Sequence, residues 1–520
     1  MTGNKTWTTP GVYVSEITGI PTAIQGVATA VPIFIGYTAR GAALAPTPIA
    51  SLADYERTFG GADGTLCEIV PTAAGAVPDI ASPPGGAYTL AVRVRHNLHP
   101  SIRLFYENGG GDAYVVSAGD YATAVSLDAL TQGLAAAGNI AGPTLIVVPE
   151  AILLPADPPQ SGKVIPTSMD FQALIRAMLA QAGAQRDRFA ILDVYGAGAV
   201  GQRGTKADQA ALDACAAAFR TAAGDAKLSF GAAYFPLLNS TIVADVDYTC
   251  FAPSLSELTA ILRSQAAMLY PDGTAQYAEV MALIDSIPKT LPTASLPATP
   301  AAIATLNGAL TAALPLLQRM QSIVAAKLGV LPPGAALAGV MTANDAARGV
   351  WSGAANIALN AVVSPSVVLD DDQQSPLNVP TDGRAINIIR QFAGRGPTVW
   401  GARTLDGNSN DYRYIQVRRT VVYVETSIKA GLEPFVFAAN DAATWARATE
   451  MIAAFLTGLW RQGGLMGTTP SDAFSVRCGL DHTMTAQDIL EGAMIVQVLL
   501  ALTHPAEFVV LIFKQKMEGV

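Results

Sequence analysis

Six consecutive residues, Gly196 to Gly201 (GAGAVG), spell G-x-G-x-x-G directly after an apolar run, RFAILDVY, and ahead of a helical stretch. Glycines so spaced let backbone N–H groups close on a dinucleotide pyrophosphate, provided the helix opens inside the loop and points its N-terminus at the phosphates. Here Gly204 and a Thr205-x-x-Asp208 capping box start the helix later. With 47 glycines in 520 residues, chance matches to such a pattern are common, so no cofactor is expected at this loop.

The other candidates for chemistry are weaker. Gly109 to Gly111 is not followed by G-K-[ST] and reads as a helix stop. His96 and His99 lack the glutamate of H-E-x-x-H, while His482 and His504 stand in loops. The triple acid Asp370, Asp371 and Asp372 has the ligand type for a divalent cation, but in a surface loop it reads as solvated charge. Cys67, Cys215, Cys250 and Cys478 are too far apart for a zinc site or a disulfide framework and read as small buried residues. Adjacent Arg418 and Arg419 fit ion pairing within the fold or between subunits. No nucleophile and base can be paired from spacing. Neither catalytic nor metal-ligating residues are expected, and the chain does not read as an enzyme.

Composition agrees. Apolar residues make up 51% of the chain and charged residues only 14%, so a large core is available and the surface is poor in charge, which suits burial between subunits. The acidic excess falls between residues 51 and 380, with seventeen basic against twenty-seven acidic residues, while 381–520 holds thirteen of each. That distribution argues against a nucleic-acid partner. No apolar run reaches the ~20 residues of a membrane span, and MTGNKTWTTPG has no apolar leader core, so synthesis in the cytoplasm without membrane insertion is expected.

The elements follow in order. Val12 to Ile17 (VYVSEI) alternates as a lone strand, and Ala28 to Thr38 is a stronger one, followed by a helix in SLADYERTFGG. Strands at 113–117, 144–148 and 188–195 alternate with helices at 100–108, 127–137, 169–181 and 205–221, the rhythm of a mostly parallel α/β sheet. Two stretches interrupt it as insertions: 62–95, with one strand-like patch at 88–94, and 254–330, with helices at 255–270, 275–287 and 301–328. Ser364 to Asn378 reads as an acidic loop. Val399 to Thr420 (VWGARTLDGNSNDYRYIQVRRT) reads as a turn, a strand at Tyr412 to Val417 and then a helix from Arg419. Asn440 is placed as the cap of a helix at 441–462, and strands are expected at 473–478, 492–500 and 507–516.

Several of these stretches together resemble the tail sheath proteins of contractile phages and phage-tail-like injection particles: TPGVYVSEI, ENGGGDAYVV, LIVVPEA, RFAILDVY, PPGAALAGVMTANDAARGVWSGAAN, VWGARTL with YIQVRRT, FLTGLWRQGGLMG, FSVRCG and HPAEFVVLIFKQ. The sequence departs from the family's pattern at Gly353 to Asn356 and at Val436 to Asn440, which bears on local loop shape. The resemblance implies an α/β protein with an α+β inner domain: an N-terminal arm (1–25), an outer domain (26–380), a mixed-sheet, tube-facing C-terminal domain (381–505) and a C-terminal arm (506–520). It implies hexameric discs stacked around an inner tube, with baseplate and terminator or cap proteins as further partners, and no cofactor. It implies strand exchange between subunits through Val12, Tyr13, Val14, Ser15, Glu16 and Ile17 and through Phe508, Val509, Val510, Leu511, Ile512 and Phe513. The expected inner-domain core is Trp400, Arg403, Arg418, Arg419, Trp445 and Trp460. Two other readings are an α/β enzyme that binds a nucleotide at Gly196 to Gly201 and a self-assembling capsid-like protein.

Overall fold

The computed structural model describes residues 23–507 except 83–85, 94–95, 160–163, 203, 243–245 and 292–298. The strand expected at Val12 to Ile17, and that at 507–516 beyond its first residue, lie outside the described residues. Contacts divide the chain into a large unit, Ala28–Val422 with the segment from His504, and a small one, Tyr423–Thr503 with the segment up to Val27.

The large unit is built on six parallel strands: β1 (Pro32–Thr38), β2 (Ala113–Asp120), β3 (Leu145–Val147), β4 (Phe189–Asp193), β5 (Gly231–Phe235) and β6 (Ile386–Phe392). Their spatial order is β2-β1-β3-β4-β5-β6, with antiparallel Thr47–Ile49 beyond β2 and Gly396–Val399 and Ile357–Ala358 beyond β6. This is the mostly parallel α/β sheet that the alternating pattern implies. Because β6 and Gly396–Val399 belong to it, the large unit extends past the 380/381 boundary expected from sequence.

Side-chain alternation loads both faces. Ile33, Ile35 and Tyr37 pack with α2 (Leu127–Gly138), α3 (Met169–Gln185) and α4 (Gln209–Ala223), whereas Phe34 packs with α1 (Leu98–Glu107) and α5 (Gly334–Arg348). Helices α1 and α5 lie so close that a Cβ at Gly339 would collide with the Phe105 carbonyl oxygen. Helix α4 starts at Gln209 with Asp208 itself as the cap, one turn later than Thr205.

The two insertions are one body. Strands Leu66–Pro71, Ile80–Ser82 and Gly86–Arg93 form an antiparallel sheet that shares a single core with helices Leu255–Leu269, Ala275–Thr290, Pro300–Ala313 and Pro315–Leu328. Lys327 crosses between the parts, its Nζ 2.6 Å from Asp79 Oδ2 and 2.8 Å from the Leu90 carbonyl. The single helix expected at 301–328 is two, turned by 116°, because Pro315 has no N–H to continue the ladder.

Asp371 to Asn378 is helix α6 rather than loop, with Asp370 closing a capping box with Gln373. The strand expected at Tyr412 to Val417 is also corrected: α7 spans Ile415–Leu432, and Tyr414 makes only an isolated bridge to Arg403. Every residue from 415 to 422 is buried, so polar and apolar positions alike face protein and the helical period is hidden there.

In the small unit, α8 (Ala442–Arg461) buries Ala448, Ile452, Leu456 and Leu459. Its cap is Asp441; Asn440 instead accepts from Trp445 Nε1 at 2.7 Å. Strands Phe474–Arg477 and Gln497–Leu500 pair antiparallel.

Candidate functional site

Open α/β sheets hold ligands at the carboxyl ends of their strands where strand order reverses, here between β1 and β3. The chain fills that place itself. Glu150, just after β3 and fully buried, accepts from the Leu98 N–H that opens α1 (2.9 Å) and from the Tyr37 N–H of β1 (3.4 Å). Asp193 closes β4 in the same manner and accepts from the Gly334 N–H that opens α5 at 2.7 Å. Burial pushes both carboxyls up to about 7, against the pull of these N–H groups. Beside Glu150, the His96 ring lies between Tyr37 and Tyr121, with Nδ1 2.8 Å from Asp63 and Nε2 3.2 Å from the Thr123 carbonyl. His99 pairs with Glu56 at 3.1 Å, although burial lowers its pKa. No cluster of three or more His, Cys, Asp or Glu side chains arranged for a metal occurs among the described residues.

The glycine loop lacks the geometry its pattern suggests. Ala197–Ala199 forms a 3-10 turn, and α4 opens only at Gln209, so no helix N-terminus faces the glycines. Gly196 is the one residue here whose φ, +77°, requires glycine.

The arginines singled out in the sequence are structural, and all three sit in the large unit. Arg419 makes a buried two-pronged pair with Asp345 (2.6 and 3.1 Å) and also donates to the Thr29 carbonyl. Arg418 is stacked between Tyr412 and Phe230, 3.6 and 4.2 Å from the ring centroids, and donates to Ser229 Oγ. Arg403 forks onto Glu507, Nε to Oε1 at 2.9 Å and Nη2 to Oε2 at 2.7 Å, at the root of the C-terminal segment. Trp400, expected in a core, is 36% exposed and lies against Phe392. Trp445 and Trp460 are in the small unit, each half-buried. Sequence reasoning does not single out Glu507; its one signal is that it is an acid two residues after Pro505, directly ahead of the apolar run FVVLIF.

The two-stranded sheet of the small unit has no third strand among the described residues. Just past the second strand, Leu465 bridges antiparallel to Leu502 and the Met466 N–H donates to the Ala501 carbonyl at 2.7 Å.

Comparison with known proteins agrees with this architecture. Residues 408–516 match the family described as phage tail sheath C-terminal domain. Nearly the whole chain is similar to the anti-feeding prophage helical sheath in its contracted state, with 25% identity over 98% of this chain and 100% of that one and a TM-score of 0.57. The sheath complex of the extracellular contractile injection system PVC, also contracted, gives 24% identity over 99% of both chains and a TM-score of 0.59. A chain of the six-fold symmetrised anti-feeding prophage baseplate gives 25% identity over 98% and 100%, with a TM-score of 0.55. No curated protein sequence matches. Residues 408–516 thus match the tail sheath family, and the fold of nearly the whole chain is that of contractile sheath proteins. Over nearly its full length the chain is similar to the anti-feeding prophage sheath, and it shares the fold of the PVC sheath.

Proposed function

We propose that the chain assembles as hexameric discs, stacked into a helical sleeve around an inner tube, and that the sleeve contracts to drive the tube through a target envelope. Six-fold symmetry is the symmetry of the anti-feeding prophage baseplate that contains a similar chain. Subunits are meshed by their ends: Val12 to Ile17 and Phe508 to Phe513 each add a strand to a sheet of a neighbour. The tube and the baseplate and terminator or cap proteins are the other partners. The work comes from an extended assembly relaxing to a more stable contracted one. Assembly takes place in the bacterial cytoplasm, and the product is a virion tail or an injection particle.

The observation that carries this reading is the match of residues 408–516 to the sheath C-terminal domain, a region that contains the two-stranded sheet Phe474–Arg477 and Gln497–Leu500. Negative-stain microscopy of the purified chain tests it. Hollow striated cylinders are expected; compact particles would favour an enzyme, and shells or flat sheets a capsid-like protein.

A further inference from the structure

The chain leaves the small unit after Thr503 and belongs to the large unit again from His504. The His504 ring lies edge-on to Tyr414, with centroids 6.1 Å apart. Three residues on, Glu507 is held by four donors from three separate places. Oε1 accepts from Arg403 Nε at 2.9 Å and Asn378 Nδ2 at 2.8 Å; Oε2 accepts from Arg403 Nη2 at 2.7 Å and the Tyr414 hydroxyl at 3.0 Å. Both oxygens are thus doubly bonded, and the fork geometry fixes orientation as well as position.

Arg403 is itself braced. Its N–H donates to Asn387 Oδ1 and its carbonyl accepts from Asn387 Nδ2, each at 2.8 Å, so the side chain of this β6 residue mimics a strand partner. Asn387 Nδ2 also reaches the Ala233 carbonyl of β5 at 3.1 Å. A continuous hydrogen-bonded path therefore runs from Glu507 through Arg403 and Asn387 to two central strands of the sheet.

We propose that Glu507 is the anchor at which pull on the C-terminal arm, exerted by a second copy of this chain, enters the central sheet, with Arg403, Asn378 and Tyr414 as its positioning residues. The inference rests on the sheath reading above and deepens it. If the arm were tethered only through a flexible root, load on it would first unravel the root and let the neighbour move independently. The clamp makes arm and sheet move together.

The test uses the full chain as wild type, Glu507→Gln and Tyr414→Phe. Cylinders are diluted, their loss is followed by light scattering and checked by microscopy, and thermal unfolding of the unassembled chains is recorded by circular dichroism. Glu507→Gln replaces a paired anion by an amide, and Tyr414→Phe removes one donor of the four. The expected result is cylinders that dissociate about tenfold faster for Glu507→Gln and by a smaller factor for Tyr414→Phe, each a larger loss than the drop in that variant's unfolding midpoint accounts for. Unchanged dissociation in both variants overturns the anchor while leaving the sheath reading intact. A lowered midpoint of the unassembled chain that accounts for the faster loss also overturns it, since the clamp would then serve only its own fold. Failure of the wild-type chain to form cylinders overturns the sheath reading and the anchor together.

Discussion

Asp345 near the end of α5 and Arg419 in the first turns of α7 form a two-pronged ion pair whose side chains are only 3% and 4% exposed. Removing one member of such a pair leaves a buried charge without its counter-ion. Asp345→Asn should therefore lower the stability of the folded chain by about 3–5 kcal/mol, read as a lower urea midpoint. The double change Asp345→Leu with Arg419→Met should cost less than the sum of the two single changes, because it buries no charge. Additive losses would show that the pair is not coupled.

Stability should fall as pH rises from about 5 to 7. The carboxyls of Glu150 and Asp193 are raised to about 7 in the folded chain from ordinary values of 4.5 and 3.8. In that window the unfolded chain is already ionised at both groups while the folded chain still holds protons. Their contribution is thus full below about pH 4 and lost as pH passes about 7, with a slope of at most about 1.4 kcal/mol per pH unit per group. Glu150→Gln should flatten the unfolding midpoint against pH over about 5 to 7. An unchanged profile in that variant would contradict the assignment.

The glycine loop separates stability from ligand binding. A Cβ at Gly198 meets only Leu237 at 3.7 Å, so Gly198→Ala should be silent. One at Gly196 meets Ile165 Cγ2 at 2.7 Å at a φ of +77°, so Gly196→Ala should cost about 1–2 kcal/mol. Calorimetry of wild type with NAD or ATP should give no saturable heat. Saturable binding lost in Gly198→Ala would reinstate a nucleotide site.

The shared core of the two insertions sets how they can be removed. Leu310 and Leu314 of one part pack in the same cluster as Cys67, Ile69 and Leu90 of the other. Replacing Leu291 to Leu314 alone by a Gly/Ser linker should expose that cluster and cause aggregation. Replacing 64–95 and 243–328 together should leave the central sheet folded and cylinders still forming, with a smaller outer diameter. The two attachment points are pinned by Asp63–His96 and by the Ser240 N–H on the Gly329 carbonyl at 2.8 Å. A soluble single deletion and an aggregated double one would reverse the argument.

What the sequence made legible was local. Apolar runs such as PIFIGYT and LIV, and the helices expected from Leu127 and Met169, locate their elements, because each signal lies inside one short window. Strand β5, GAAYF, was missed because glycine and alanine give little strand signal, and β6, INIIRQF, was missed inside a stretch taken as the start of another domain. The joint core of the insertions links positions nearly two hundred residues apart, as Ile69 N–H on Ser254 Oγ shows, and no periodicity reports such a contact. The same holds for the candidate site. Arg403 stood out in the sequence, but its partner Glu507 lies 104 residues further on and only the fold brings them together.

The most direct test of the central claim is electron microscopy of the purified full-length chain beside the same chain lacking Met1 to Gly19. A strand of about five residues contributes only a few kcal/mol at about 0.5–1.5 kcal/mol per hydrogen bond, but repeated over every subunit it makes the mesh cooperative. The account predicts long, hollow, striated cylinders from the full chain, and from the shortened chain only folded monomers or small oligomers by circular dichroism and sedimentation. Long cylinders from the shortened chain would contradict the exchange of terminal strands, and no cylinders from either would contradict the sheath itself.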